Sequence, residues 1–330
     1  MDRYASLQDW IARQFPGKAF TLSPASADAS FRRYFRVTFP DVALIAMDAP
    51  PLQEDCRPFV RVAALMAAAK IHVPEILAQD LARGFLLLSD LGATTYLAAL
   101  NAGNADQLFS DAIDTLIRWQ LASREGALPA YDETLLRREL DLFPEWYIGR
   151  HLDIKLSSRQ SEALQEIFGL VLANNLAQPK VYVHRDYMPR NLMVSNPNPG
   201  VLDFQDAVFG PISYDVASLF KDAFLSWEEE RVLDWTVRYW ERARRAGLPV
   251  NADFGAFYRD FEWMGLQRHL KVLGIFARIY HRDGKPGYVE DTPRFLGYVR
   301  AVALRYAALA PLLRLLDQFQ DRVPAVGHTF

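Results

Sequence analysis

Residues 181–194 read VYVHRDYMPRNLMV, and this stretch decides the fold. Two apolar runs, VYV and LMV, flank a polar loop containing His184, Arg185, Asp186 and Asn191. Strand-like runs on both sides of a short polar loop predict a hairpin that holds those side chains stiffly. Shortly afterwards GVLDFQD, 200–206, places Asp203 at the end of another apolar run. Asn191 and Asp203 offer hard oxygen ligands, and two such ligands suffice for Mg²⁺ when the phosphates of ATP and water complete the octahedron. Asp186, five positions before Asn191, is then the candidate to orient an attacking hydroxyl and take its proton. The plainer alternative has His184 and Asp186 capping a turn and Asp203 merely ending a strand. The correctly ordered second carboxylate favours the chemical reading.

Working outward, the whole chain sets limits on its partners. It has 330 residues, 51% of them hydrophobic, which is enough for a large core and makes two lobes a reasonable expectation. A net charge of -3 supplies no clustered basic surface, so neither nucleic acid nor an anionic membrane is an expected partner, and small molecules are. The lone cysteine, Cys56, forms no internal disulfide, and the six scattered histidines lack the paired cysteines of a structural zinc site. The N-terminus, MDRYASLQDW, has no basic stretch followed by an apolar run, and no segment reaches 18 uncharged apolar residues. The expected location is the cytoplasm.

Period and punctuation divide the chain. After a short amphipathic helix at 7–15, residues 20–47 read as strands, with YFRVTF and VALIAM separated by Pro40 and Asp41. A helical period covers 57–70, and ILAQD and FLLLSDLG follow as strand-like runs. Helical periods then predict helices at 106–124, 134–150 and 159–177, short β-type runs between 181 and 203, and helices rich in aromatic residues and arginine from 213 to 315. Strands, one helix and strands, followed by a mainly helical remainder, predict an α+β chain with a small sheet-rich N-terminal lobe, 1–90, and a larger helical C-terminal lobe, 93–330. The boundary falls at about 89–92.

The segments HRDYMPRNLMV and LDFQDAVFGPISYDVASLF, with FLLLSDLG upstream, resemble the aminoglycoside phosphotransferase and choline kinase-like superfamily over nearly the whole chain. The resemblance implies a two-lobed protein-kinase-like fold and an ATP-dependent kinase in which Asp186 is catalytic. It implies that Asn191 and Asp203 hold Mg²⁺, that the hinge backbone at Ser89 to Leu91 reads adenine, and that Asp215 braces the catalytic loop from a following helix. More narrowly, DASFRRYFRV, MDAPP and WMGLQRHLKVLGIFARIYHRDGK are similar to the cell-wall recycling kinases that phosphorylate N-acetylmuramate and N-acetylglucosamine at the anomeric hydroxyl. Related subfamilies act on choline, homoserine, fructosamines or aminoglycosides.

Two departures shape the remaining expectations. Where kinases carry a strand lysine on the α- and β-phosphates, paired with a glutamate on the next helix, this chain has Met47 and the carboxylate-free helix RPFVRVAALMAAAK. The missing lysine is what a nucleotide-binding pseudokinase scaffold has in its favour. The phosphate grip then falls to Arg32 or Arg33, beside Ser30 in a loop of small residues whose backbone N–H groups approach phosphates, and the sequence leaves open which arginine points inward. On the substrate side, a polycationic aminoglycoside needs clustered carboxylates. The helix around 263–280 instead offers Arg268 and Lys271, three apart and on one face, with no nearby acid to neutralise them. That face suits a substrate carboxylate such as the lactyl group of muramate, with His269 or Gln267 on sugar hydroxyls.

Overall fold

The computed structural model describes residues 2–26 and 31–319. The chain forms two compact units, the first comprising 1–119 and 189–207 and the second 120–188 and 208–330.

Unit 1 opens with α1, Arg3–Gln14, which starts ahead of the expected 7–15 because the Asp2 carboxylate accepts the Tyr4 N–H and caps it. The strands β1 (Thr21–Ser26), β2 (Arg33–Thr38), β3 (Ala43–Asp48), β4 (Ile76–Asp80) and β5 (Phe85–Ser89) form one antiparallel sheet in the order β1-β2-β3-β5-β4. Leu7, Trp10 and Ile11 of α1 pack on Phe35, Val37, Ala46, Phe85 and Leu87, the alternate residues that face one side of the sheet. Between β3 and β4 lies α2, Arg57–Ala68, and after β5 come α3, Tyr96–Ala99, and α4, Ala105–Leu121, which crosses into unit 2 at its last turn.

The sequence reading drew its boundary at 89–92, whereas unit 1 runs on to Trp119 and takes back 189–207. Main-chain pairing accounts for the difference. The two-residue strands Leu192–Met193 and Gly200–Val201 pair with each other and bridge to Thr95 and His72. The His72 ring adds contacts to Ser195 Oγ at 3.1 Å and the Pro197 carbonyl at 2.6 Å.

In unit 2 the strands Lys180–Val183 and Val208–Pro211 pair antiparallel, from Lys180↔Pro211 to Val183↔Val208. Around them lie α5 (Glu133–Leu140), α6 (Ser158–Ala177), α7 (Tyr214–Phe220), α8 (Glu229–Arg245), α9 (Phe254–Asp283), α10 (Thr292–Arg305) and α11 (Ala310–Asp317). The expected single helix at 134–150 is instead α5 followed by a π-helix, Phe143–His151, with Pro144 in its first turn, where the missing N–H interrupts a regular α ladder. The 30-residue α9 is the axis of the core, begun by an Asp253 cap and ended by Gly284 in the left-handed conformation. Its Gly274 lets that axis approach the π-helix, since a Cβ there would lie 2.4 Å from the Leu142 carbonyl carbon. Leu270, Leu273 and Phe276 pack with Phe143, Phe168 and Phe295 in one buried apolar cluster. No helix among the described residues is long and apolar enough to cross a membrane.

Candidate active site

The loop at 184–188 belongs to unit 2, and Asp215 of α7 braces it. The Asp215 carboxylate accepts the His184 N–H at 2.7 Å and the Arg185 N–H at 3.0 Å. Burial pushes this carboxyl up to about 7 against those two donors. His184 is fully buried, and its Nδ1 accepts the Asp186 N–H at 3.2 Å, which leaves the ring proton on Nε2. Arg185 stands at φ 76, a left-handed conformation that turns the chain so that Asp186 follows directly on the braced pair.

The Arg185 guanidinium turns to Glu139 of α5, a buried carboxylate that the sequence reading missed. Glu139 Oε1 takes Arg185 Nη2 and Lys271 Nζ, the latter at 3.0 Å, while Oε2 accepts from Tyr131 Oη and from Gln267 Nε2 at 3.1 Å. Burial alone would raise this carboxyl; Lys271, Arg185 and Tyr131 hold it down at about 2. Lys271 also donates to Tyr214 Oη at 3.0 Å. The expectation that Lys271 lacks an acid partner therefore fails: helical spacing placed it on a face with Arg268 but gave no sign of Glu139, 132 positions away in the sequence. His269 also lies elsewhere than expected, stacked on Tyr298 at 4.9 Å and beside Phe295 at 5.5 Å, with its pKa pushed well below the usual value by burial and by Lys221 and Arg268. Its surroundings are those of a core histidine. Arg268 is 3% exposed, and its Nη2 reaches Met188 Sδ at 3.8 Å.

Unit 1 holds the two candidate oxygen ligands, Asn191 and Asp203. Leu202 N–H donates to the Asn191 carbonyl at 2.9 Å, Asn191 Nδ2 lies 3.3 Å from Asp203 Oδ2, and Gln205 Nε2 donates to Asp203 Oδ1 at 2.9 Å. Asp203 adopts φ 62, so the chain turns sharply where the carboxylate emerges. No group of three or more His, Cys, Asp or Glu among the described residues is arranged to hold a metal. One carboxylate and one carboxamide fit Mg²⁺, which needs few protein oxygens when phosphates share its shell, and fit poorly the nitrogen- and sulfur-rich sites of zinc.

The arginine choice left open by the sequence resolves within unit 1. Arg33 and Arg3 both bond the fully buried Asp48 carboxylate, so Arg33 braces the sheet. Arg32, with a side chain 12% exposed, lies 3.8 Å from Glu54 Oε2. Burial opposes its charge, yet Tyr34, Asp203, Glu54 and Asp206 together hold its pKa above the ordinary value. Ser30 lies outside the described residues. At the segment expected to be the hinge, Ser89 spends its N–H on the Glu75 carbonyl and its Oγ on the Glu75 N–H, and Asp90 is forked by Arg36 at 2.6 and 3.2 Å. The Leu91 backbone enters no hydrogen bond among the described residues. Met47, in place of the strand lysine, is fully buried, and the helix that would carry its glutamate contributes Phe59, which packs on Phe204 with ring centroids 4.7 Å apart. An apolar contact thus ties α2 to the segment carrying Asp203.

Residues 21–250 match the model of a phosphotransferase enzyme family. The chain is 59% identical to an N-acetylmuramate/N-acetylglucosamine kinase of Pseudomonas aeruginosa, covering 89% of this chain and 87% of the relative. It is 57% identical to one of Pseudomonas putida, with 92% and 89% covered, and 50% identical to one of Neisseria meningitidis serogroup B over the full length of both. Among solved structures, choline kinase LicA from Streptococcus pneumoniae superposes with a TM-score of 0.65 at 11% identity, covering 90% of this chain and 99% of that one. The aminoglycoside phosphotransferase APH(2")-IIa, in its gentamicin complex, gives 0.61 at 14% identity, with 90% and 96% covered. These two similarities establish the two-lobed protein-kinase-like fold.

Proposed function

This chain belongs to the phosphotransferase enzyme family, and on that premise we propose that it is an ATP-dependent amino-sugar kinase acting on the anomeric hydroxyl of N-acetylmuramate and N-acetylglucosamine in peptidoglycan recycling. The observation that carries the reading is the 50–59% identity to N-acetylmuramate/N-acetylglucosamine kinases over nearly the whole of both chains. A cytoplasmic location accords with the use of ATP.

The residue chemistry suits such a transfer. Asp186 accepts the proton of the attacking hydroxyl as its oxygen bonds the γ-phosphorus and the bond to ADP breaks, and an anomeric hydroxyl is the most acidic of a sugar's hydroxyls. Asn191 and Asp203 would hold Mg²⁺, which would supply neutralisation of phosphate charge. The Leu91 backbone reads adenine and Arg32 grips the phosphates in place of the strand lysine. Retention of Asp186, Asn191 and Asp203 together argues against a pseudokinase scaffold.

The test is ATP consumption by the full chain with N-acetylmuramate, N-acetylglucosamine, choline, homoserine and kanamycin, together with the 1-O-methyl glycosides of both sugars. Turnover with the two free sugars and none with their methyl glycosides is the expected result. Turnover only with choline, homoserine or kanamycin, or with none of the panel, overturns the reading.

A further inference from the structure

Two charged side chains buried in unit 2 lack the partners that burial demands. Arg268, 3% exposed, has no hydrogen-bond partner at Nε or Nη1, and its Nη2 meets only the weak acceptor Met188 Sδ at 3.8 Å. Asp222, just beyond α7 and 1% exposed, accepts the Phe224 N–H at 3.3 Å through Oδ2 but has no partner at Oδ1. Burial raises the Asp222 carboxyl, and the Ala223 N–H and Arg268 pull it back, so the two side chains feel each other's charge without bonding.

Depth alone does not explain this. One turn along the same α9, Lys271 is matched by Glu139, whose two oxygens each have two donors. Lys271 is thus a satisfied buried charge, whereas Arg268 lacks a partner at two of its three nitrogens and Asp222 at one oxygen, and groups so buried call for a partner from outside. Location identifies the partner. Met188, which Arg268 touches, is two residues beyond Asp186, and Asp215, the brace of that loop, lies in the fields of both Asp186 and Arg268. A cation and an anion within each other's field but unbonded, one of them touching Met188 of the 184–188 loop, suit a ligand that brings a carboxylate to one and a hydroxyl or amide N–H to the other.

We propose that Arg268 and Asp222 form the acceptor subsite for a carboxylated amino sugar, with the guanidinium forking the substrate carboxylate and Asp222 Oδ1 accepting from a ring hydroxyl or the N-acetyl N–H. The inference rests on the kinase reading above and deepens it: N-acetylmuramate engages both residues, and N-acetylglucosamine, which lacks the lactyl carboxylate, engages Asp222 alone.

The experiment compares the full-length wild type with Arg268→Met and Asp222→Asn, measuring kcat/KM on both sugars, KM for ATP and Tm. For Arg268→Met the expected result is a loss of about 10- to 100-fold in kcat/KM on N-acetylmuramate and no more than about 3-fold on N-acetylglucosamine. Its Tm is unchanged or higher, because an unpaired buried charge has been replaced by an apolar side chain of similar length. For Asp222→Asn both sugars lose kcat/KM while KM for ATP stays put. Equal losses on both sugars with a lowered Tm in Arg268→Met, or no loss on either, overturn the subsite. If the wild type phosphorylates neither sugar, the kinase assignment fails separately, and calorimetric titration with N-acetylmuramate decides the subsite. Binding by wild type that Arg268→Met abolishes upholds it; equal binding, or none to wild type, overturns it.

Discussion

At the residue scale the chemistry rests on few groups. The Asp186 N–H is anchored to His184 Nδ1, and the two backbone N–H groups before it are anchored to Asp215, so Asp186→Asn leaves the loop's main-chain bonds in place. Only the capacity to accept a proton is lost. A general base contributes on the order of 10²- to 10⁴-fold, so Asp186→Asn should lower kcat by that factor with ATP affinity intact. Retention of more than about a tenth of kcat would place the base elsewhere. Asp203→Ala should behave differently, because it removes one of the two protein oxygens proposed for the metal. Activity lost outright at any Mg²⁺ concentration is expected. Recovery at high Mg²⁺ would shift the ligand role toward Asp206, which lies near enough to Arg32 to raise its pKa.

At the scale of elements, the loop at 184–188 is fastened to helices on either side of it in sequence. Asp215 of α7 holds its backbone, and Glu139 of α5 holds the Arg185 side chain together with Lys271 of α9. The two carboxylates carry opposite pH signatures. Asp215 has its pKa raised to about 7 in the folded chain, so its stabilising contribution is full below the unfolded value near 3.8 and is lost as pH rises toward 7. Glu139, lowered to about 2, contributes above its unfolded value of 4.5 and loses that contribution as pH falls toward 2. Denaturant unfolding from pH 4 to 7.5 should therefore show Asp215→Asn flattening the wild-type decline across this range. Glu139→Gln should lower stability across the same range by about 3–5 kcal/mol, the usual result of breaking a buried ion pair by removing one partner. A uniform offset for Asp215→Asn, or a near-neutral Glu139→Gln, would contradict these assignments.

The same contrast shows what was legible in the sequence. Asp186, Asn191 and Asp203 stood out as candidates through their spacing in a run of apolar and polar segments, although the flanking runs do not form the expected hairpin: 180–183 pairs with 208–211 and 192–193 with 200–201; the bracing by Asp215 followed from the resemblance. Glu139 did not stand out, since it lies 46 positions before Arg185 in a helix, RREL, that looks like an ordinary solvated face. Arg33 was indistinguishable from Arg32 for a related reason. Neighbouring residues point to opposite sides of an extended chain, but only the position of Asp48 shows which side is which. The π-helix escaped the helical period because Pro144 breaks the ladder without breaking the apolar pattern.

At the scale of the whole molecule, the groups proposed for the nucleotide all belong to unit 1: Leu91, Arg32, Asn191 and Asp203. The acceptor groups Asp186, Arg268 and Asp222 all belong to unit 2. The sequence expectation drew its boundary at 89–92, and here the hairpin at 192–201 beside the candidate metal ligands is counted with unit 1 through its bridges to His72 and Thr95. The division also predicts how ligands alter unfolding. A ligand stabilises the part of a protein that binds it by RT ln(1 + [L]/Kd), about 2.7 kcal/mol at a hundredfold excess over Kd. Spread over the unfolding entropy of the full chain this is roughly 4 °C, and more if unit 1 melts as its own transition. Mg²⁺ with ADP should raise the unfolding transition of wild type and of Asp186→Asn alike, because Asp186 takes no part in holding nucleotide. In Asp203→Ala the Mg²⁺-dependent portion of that rise should vanish while the rise with ADP alone persists. Differential scanning calorimetry of the three proteins with ADP, with and without Mg²⁺, checks this. An Asp186→Asn chain that no longer responds to nucleotide, or an Asp203→Ala chain that keeps its full response to Mg²⁺, would break the assignment of roles between the two units.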